Sequence, residues 1–127
     1  MTNDTASAAA SAWPTDLTLN AEKNVLTVSF DDGAKFDLSA EYLRVTSPSA
    51  EVQGHSPDQR KTVGGKQDVQ IMQLEPTGNY AVRITFDDMH NTGLFTWAYL
   101  YTLGAEQEIR WQAYLEELAD KGLSRAR

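Results

Sequence analysis

The chain has 127 residues, of which 11 are basic and 18 acidic, giving a formal charge of −7, and it contains no cysteine. That length suits a single domain able to bury roughly two thirds of its unfolded surface, and the missing thiols exclude disulfides, thiolate-held zinc, iron–sulfur ligation by this chain alone and cysteine nucleophiles. The negative field opposes phosphate backbones and anionic membranes, so neither nucleic acid nor a membrane is expected as a partner.

Residues 1–12 are small, polar and aperiodic. They have too little apolar bulk to offset the entropy of ordering and read as a disordered tail, without the charged and apolar regions of a secretory signal. No apolar run approaches the ~18 residues of a membrane span, so a cytoplasmic location is expected. From Trp13 the pattern changes: Leu17 and Leu19, then Leu26, Val28 and Phe30, then Phe36 and Leu38 recur at every second position, the period of half-buried strands. Asn20 to Asn24 connects the first two runs, and Asp31-Asp32-Gly33 supplies a hairpin turn between the second and third. Ser39 is placed to cap a short helix through Arg44, with Glu41 favourable at the positive end of its dipole and Pro48 stopping it. Residues 51–68 mix glycine, proline and charge without periodicity and read as a long irregular loop, either mobile or functional.

Val69 and Ile71 open a second hairpin with its turn at Pro76–Asn79. On the return, Tyr80, Val82, Ile84 and Phe86 form one apolar face, with Arg83 and Thr85 opposite. Thr96 can cap a helix beginning at Trp97, and Gly104 would end that helix in a left-handed conformation. A separate C-terminal helix over 105–122 carries Trp111, Tyr114, Leu115 and Leu118 as one stripe, facing the sheet or a partner such as a second copy of the chain, and 123–127 form a tail. These elements predict an α+β fold, mainly antiparallel sheet of five to six strands in two hairpins, with short helices and a C-terminal amphipathic helix. Its principal domain spans 13–104.

The stretch FDDMHNTGLFTW, residues 86–97, gathers Asp87, Asp88 and His90, donors suited to a hard or borderline cation. A strand-to-helix corner explains them better, because adjacent acids form turns and a lone histidine needs only a hydrogen-bond partner. A facial triad with His55 and Asp58 has the wrong spacing for a strand-borne pair, and a jelly-roll oxygenase needs about eight strands. Val63-Gly64-Gly65-Lys66 lacks the spacing of a phosphate loop. No nucleophile elbow is present, although serine, histidine and aspartate for a triad all occur. Arg44, Arg60 and Lys61 flank the irregular loop and are candidates to meet an acidic group or partner.

The words YLR and SPSAE, then GNYAV and FDDMHNTGLFTW, make the chain resemble the DUF971 family, the gamma-butyrobetaine hydroxylase-like N-terminal domain, from Trp13 to about Gly104. In the hydroxylase this domain precedes a jelly-roll oxygenase that uses iron and 2-oxoglutarate, and it carries a structural zinc held by three cysteines and a histidine. The resemblance puts Ser47, Ser49 and Val52 at the cysteine positions and His90 at the histidine position. A neutral hydroxyl is a poor zinc ligand and valine is none, so the family-type zinc is expected to be lost and no cofactor, iron included, is expected. The oxygenase activity is not implied without its catalytic domain. Related domains are fused to ATPases of iron–sulfur cluster assembly, which implies an accessory role in a metal-handling system.

The resulting expectation is a non-catalytic protein-interaction module, with Arg44, His55, Arg60, Lys61, Asp88 and His90 as candidate partner-binding residues. The alternative is a weak iron- or zinc-binding protein, or a component of a 2-oxoglutarate-dependent oxygenase system. His90 is expected close to Ser47 and Ser49, with its ring hydrogen-bonded rather than metallated.

Overall fold

The structure, a computed structural model, describes residues 12–126. The expected disordered tail lies outside the described residues except for Ala12. Six strands form two three-stranded antiparallel sheets, each in sequential order. The first contains β1 (Pro14–Leu19), β2 (Val25–Phe30) and β3 (Lys35–Ser39); the second contains β4 (Ile71–Thr77), β5 (Ala81–Phe86) and β6 (Leu94–Thr96). The helices are α1 (Ala40–Val45), α2 (Ala50–Gln53), α3 (Trp97–Ala105) and α4 (Gln107–Asp120). The fold is therefore α+β, as the two periodicities predict. Among the described residues, no helix is long and apolar enough to cross a membrane.

Register follows the period-two apolar positions. Leu17 pairs with Val28, Leu19 with Leu26, Leu26 with Leu38 and Val28 with Phe36, so these side chains stack on one face. Asn20 fixes the first turn, its Oδ1 accepting from the backbone N–H groups of Asn24 and Val25, each at 2.9 Å. Gly33 takes φ +90° in the second, a conformation without steric cost only for glycine. Ser39 caps α1 by accepting from Tyr42 N at 3.0 Å, and Thr96 caps α3 by accepting from Tyr99 N at 3.0 Å.

Both sheets feed one core. Leu26, Val28 and Leu38 from the first sheet meet Ile71, Ile84 and Phe86 from the second, with Tyr42, Leu43, Leu100 and Leu103 from the helices. Each such side chain contributes about 1.5–3 kcal/mol on burial. The Tyr42 hydroxyl inside this cluster donates to Leu103 O at 2.7 Å, which ties α1 to α3 and leaves no orphaned phenol.

Several local expectations are corrected. β4 runs through Pro76 and Thr77, and the turn is Gly78–Tyr80, with Gly78 at φ +56°. Tyr80 is therefore half exposed, off the face shared by Val82, Ile84 and Phe86. Pro76 is compatible with β4 because this is an edge strand. Gly104 does not end its helix: α3 continues to Ala105, and a Cβ at Gly104 would overlap the Phe36 ring of β3. The glycine serves close helix-to-sheet approach, not a left-handed cap. The stretch read as an irregular loop begins with α2, which follows Ser49.

The α4 stripe packs on the chain itself. Tyr114 and Leu118 bury against Val45, with Val63, Trp111 and Leu115 at the margin. Beyond α4, Gly122 turns at φ +65° and the chain comes back: Ser124 O accepts from Gly65 N at 2.9 Å, and Arg125 O accepts from Gln67 N at 3.0 Å.

Candidate functional site

β5 ends at Phe86, and the next residues reverse the chain. Met89 N donates to Phe86 O at 3.0 Å and Phe86 N donates to His90 O at 3.0 Å. Met89 adopts φ +73°, which costs a non-glycine residue about 1–2 kcal/mol. Asp88 Oδ1 offsets part of that cost by accepting from His90 N at 3.1 Å, and Asp87 Oδ1 accepts from Gln70 N at 3.1 Å. The acid pair is thus a turn former, and the turn aims His90 inward.

The His90 side chain meets the segment after α1. Its Nε2 lies 2.9 Å from Ser47 Oγ and 3.4 Å from Ser49 Oγ, and its Nδ1 lies 3.6 Å from Glu51 Oε1. Ser47, Ser49 and His90 are all buried, as is Val52 in α2. Gly93 closes the corner from the other side, since a Cβ there would overlap Ser47 Oγ. Gln53 adds a brace, donating from Nε2 to Ser47 O at 2.9 Å.

Charge is arranged around this neutral centre. Asp88 Oδ2 accepts from Arg44 Nε at 2.8 Å and lies 2.6 Å from Lys66 Nζ. Burial alone would raise the Asp88 pKa, but the hydrogen bonds from Lys66 and Arg44 outweigh it and hold the carboxyl down at about 2. His90 is pushed below its ordinary value by burial and by the Arg44 charge, with Glu51 and Asp88 opposing. A neutral imidazole is the form that suits two serine hydroxyls.

The order Ser47–His90–Glu51 mimics a nucleophile–base–acid relay, but the geometry does not support one. Ser47 is fully buried, so no substrate carbonyl can reach its Oγ, and 3.6 Å is too long for the orienting hydrogen bond. The corner does not fit the zinc of the resemblance either: one imidazole, two neutral hydroxyls and a valine do not make a tetrahedral donor set. Among the described residues, no group of three or more histidine, aspartate and glutamate side chains is placed to hold a metal ion.

The structure divides the residues singled out from the sequence. Arg44, Ser47, Ser49, Asp88 and His90 converge at the corner. Arg60 instead pairs with Glu117 of α4, which also accepts from Thr62 Oγ1 at 2.9 Å. His55 and Lys61 are exposed on the stretch between α2 and β4. Sequence reasoning missed Glu51 and Lys66 as neighbours of the corner. Lys66 was visible only within the glycine pair before it, and nothing local linked it to Asp88.

The sequence matches the family described as gamma-butyrobetaine hydroxylase-like, N-terminal, over residues 17–101. Two proteins solved in solution by NMR are each 44% identical to it. The first match covers 90% of this chain and 90% of that one at a TM-score of 0.77, and the second covers 91% and 86% at 0.78. A crystal structure of a protein of unknown function in the DUF971 family, from Acidithiobacillus ferrooxidans ATCC 23270, is 34% identical over 73% of this chain and 93% of that one, at a TM-score of 0.56. No curated protein matches the chain. The matched region runs from β1 into α3 and so contains the whole His90 corner, and the chain belongs to the gamma-butyrobetaine hydroxylase-like N-terminal (DUF971) family.

Proposed function

We propose that the chain is a non-catalytic accessory module that binds a protein partner in a metal-handling pathway, either iron–sulfur assembly or oxygenase-linked metabolism, in the cytoplasm. The observation that supports it is the closure of the corner: Ser47, Ser49 and His90 are buried and direct their polar atoms at one another, so chemistry-bearing groups brace the fold instead of facing a substrate. The pathway rests on the resemblance. The Lys66–Asp88–Arg44 network pins the segment after α2 to the strand-to-helix corner, which presents His55 and Lys61 on an anchored surface.

The test is affinity capture by the full chain from native lysate at low salt, with H55A/K61A as the matched control. A discrete partner retained by the unmodified chain and lost from the variant is expected; nothing above background, or equal capture by both, counts against the proposal. The alternative, weak zinc or iron binding, is tested by metal titration watched at the His90 ring resonances. No shift at about millimolar metal is expected of a lone imidazole. A saturable shift, or turnover of 2-oxoglutarate with added iron, would favour the alternative.

A further inference from the structure

A cleft of about 230 Å³ opens between the α1–α2 segment and α3–α4. Its walls include the side chains of Val45, Tyr99 and Tyr114, and two arginines from different elements line it: Arg60, after α2, and Arg110, on α4. Both tyrosine hydroxyls are already committed to backbone carbonyls, Tyr99 donating to Thr46 O at 2.6 Å and Tyr114 to Val63 O at 2.7 Å. The cleft is therefore offered aromatic surface and not phenolic hydrogen-bonding capacity. The Arg110 guanidinium carbon lies 6.0 Å from the Tyr99 ring centroid, at the edge of cation–π range.

Both arginines are paired, but neither is saturated. Glu117 is the acid among the described lining residues, and it is engaged by Arg60 and by Thr62. Arg110 uses its Nε on Glu106 at 2.9 Å, one turn away, where both partners are more than a third exposed and the pairing is worth little. Burial raises the Tyr99 pKa while Arg110 and Arg60 pull it down, so both cations act on that wall. Each arginine spends one nitrogen on its acid, Arg60 Nη2 on Glu117 and Arg110 Nε on Glu106, so both keep guanidinium N–H groups that a carboxylate in the cleft can use. A planar guanidinium matches a carboxylate in two-point geometry. The described lining residues include no lysine and no glycine, whereas a phosphate site draws on a nest of backbone N–H groups.

We infer that this cleft is a carboxylate-binding site, in which an aromatic or other flat apolar group lies against Tyr99 and Tyr114 and its carboxylate faces Arg110 and Arg60. A free small acid and the C-terminus of a partner peptide present the same chemistry. The cleft draws on Arg60 and Arg110 and uses neither His55 nor Lys61, so the titration here and the H55A/K61A capture can fail independently.

The experiment follows arginine Nε–H and tyrosine ring resonances of the full chain by NMR during titration with four probes: benzoate, benzamide, N-acetylphenylalanine and its amide. Saturable shifts at Arg110 and Tyr99 with one or both acids, and none with the neutral amides, are expected. Benzoate alone identifies a free small acid, and N-acetylphenylalanine alone or more tightly bound identifies a peptide terminus. R110A and R60A should each weaken binding at least about tenfold. R83A, on the exposed face of β5, should leave it unchanged. Arg110 is solvent-accessible, so R110A retains the fold, checked by its amide spectrum. No shift with either acid, equal shifts with the amides, or undiminished binding by folded R110A overturns the inference.

Discussion

Glu41 and Arg125, 84 residues apart, meet through two hydrogen bonds, Arg125 Nε to Glu41 Oε2 at 2.9 Å and Nη2 to Oε1 at 2.8 Å. Glu41 is 5% exposed, and the guanidinium also sits 5.3 Å from the Trp111 ring centroid. The C-terminal segment thus supplies the counter-charge for a carboxylate buried on α1. R125A leaves that charge uncompensated and should lower unfolding stability by about 1–3 kcal/mol. The partial exposure of Arg125 keeps the loss below that of a fully buried pair. K121A, which removes an exposed contact to Thr62, should cost under about 0.5 kcal/mol. Urea denaturation of R125A, E41Q and the double variant measures the coupling, and additive losses would show that the two side chains do not support each other.

Gly104 offers a case where two effects have opposite signs. Alanine in a helix interior should stabilise by about 1 kcal/mol over glycine, but here its Cβ meets the Phe36 ring. That ring is wedged edge-on against Phe30 and Tyr101, with centroids 6.1 and 5.3 Å away, so it has little freedom to retreat. Overpacking of this kind costs about 1–3 kcal/mol. G104A should therefore be net destabilising, and F36L should recover much of the loss. A G104A chain more stable than the parent would mean that the ring moves aside freely.

Legibility in the sequence followed the range of the interaction. The β1–β2–β3 faces were readable because period-two apolar positions fix which side is buried, and Ser39 and Thr96 were readable because a cap bonds three residues along. Gly104 was misassigned because its partner Phe36 is distant in sequence, and glycine near a helix end looks the same whether it caps or packs. Glu41 was readable only as an acid favoured by the helix dipole, and its partner Arg125 lies at the other end of the chain. The nearness of His90 to Ser47 and Ser49 came from the family resemblance; no local pattern connects residues more than 40 apart.

Acid should act on the corner in two separate windows. Burial holds His90 below its ordinary 6.5, so as pH falls the unfolded chain takes up the proton first. The stability tied to the neutral imidazole is complete above 6.5 and is lost as pH falls below that value toward the folded pKa. Asp88 is held at about 2 against an ordinary 3.8, so its contribution is complete above 3.8 and is lost between there and about 2. H90Q should flatten the first window and leave the second, whereas D88N should shrink the second and, because the Asp88 charge opposes the depression of His90, widen the first. Urea midpoints measured across both windows check this. A wild-type curve already flat below 6.5 would show that His90 does not carry the linkage.

The corner can also be asked whether it retains the layout of a metal site. Ser47 Oγ and Ser49 Oγ already lie 2.9 and 3.4 Å from His90 Nε2. Nitrogen and sulfur ligands on a tetrahedral zinc are separated by roughly 3.5 Å. Two of the three positions that the resemblance assigns to cysteine therefore face the imidazole at nearly the right spacing, and the third, Val52, is buried in the adjoining helix. The variant S47C/S49C/V52C should bind one zinc or cobalt ion, with thiolate–cobalt absorption in the visible and a rise in unfolding stability of several kcal/mol on metal addition. Adding H90A should weaken that binding by orders of magnitude, and the parent chain should show no such spectrum. A folded triple variant that binds no cobalt would mean that Val52 does not occupy the third ligand position and that this corner does not keep the layout the resemblance implies.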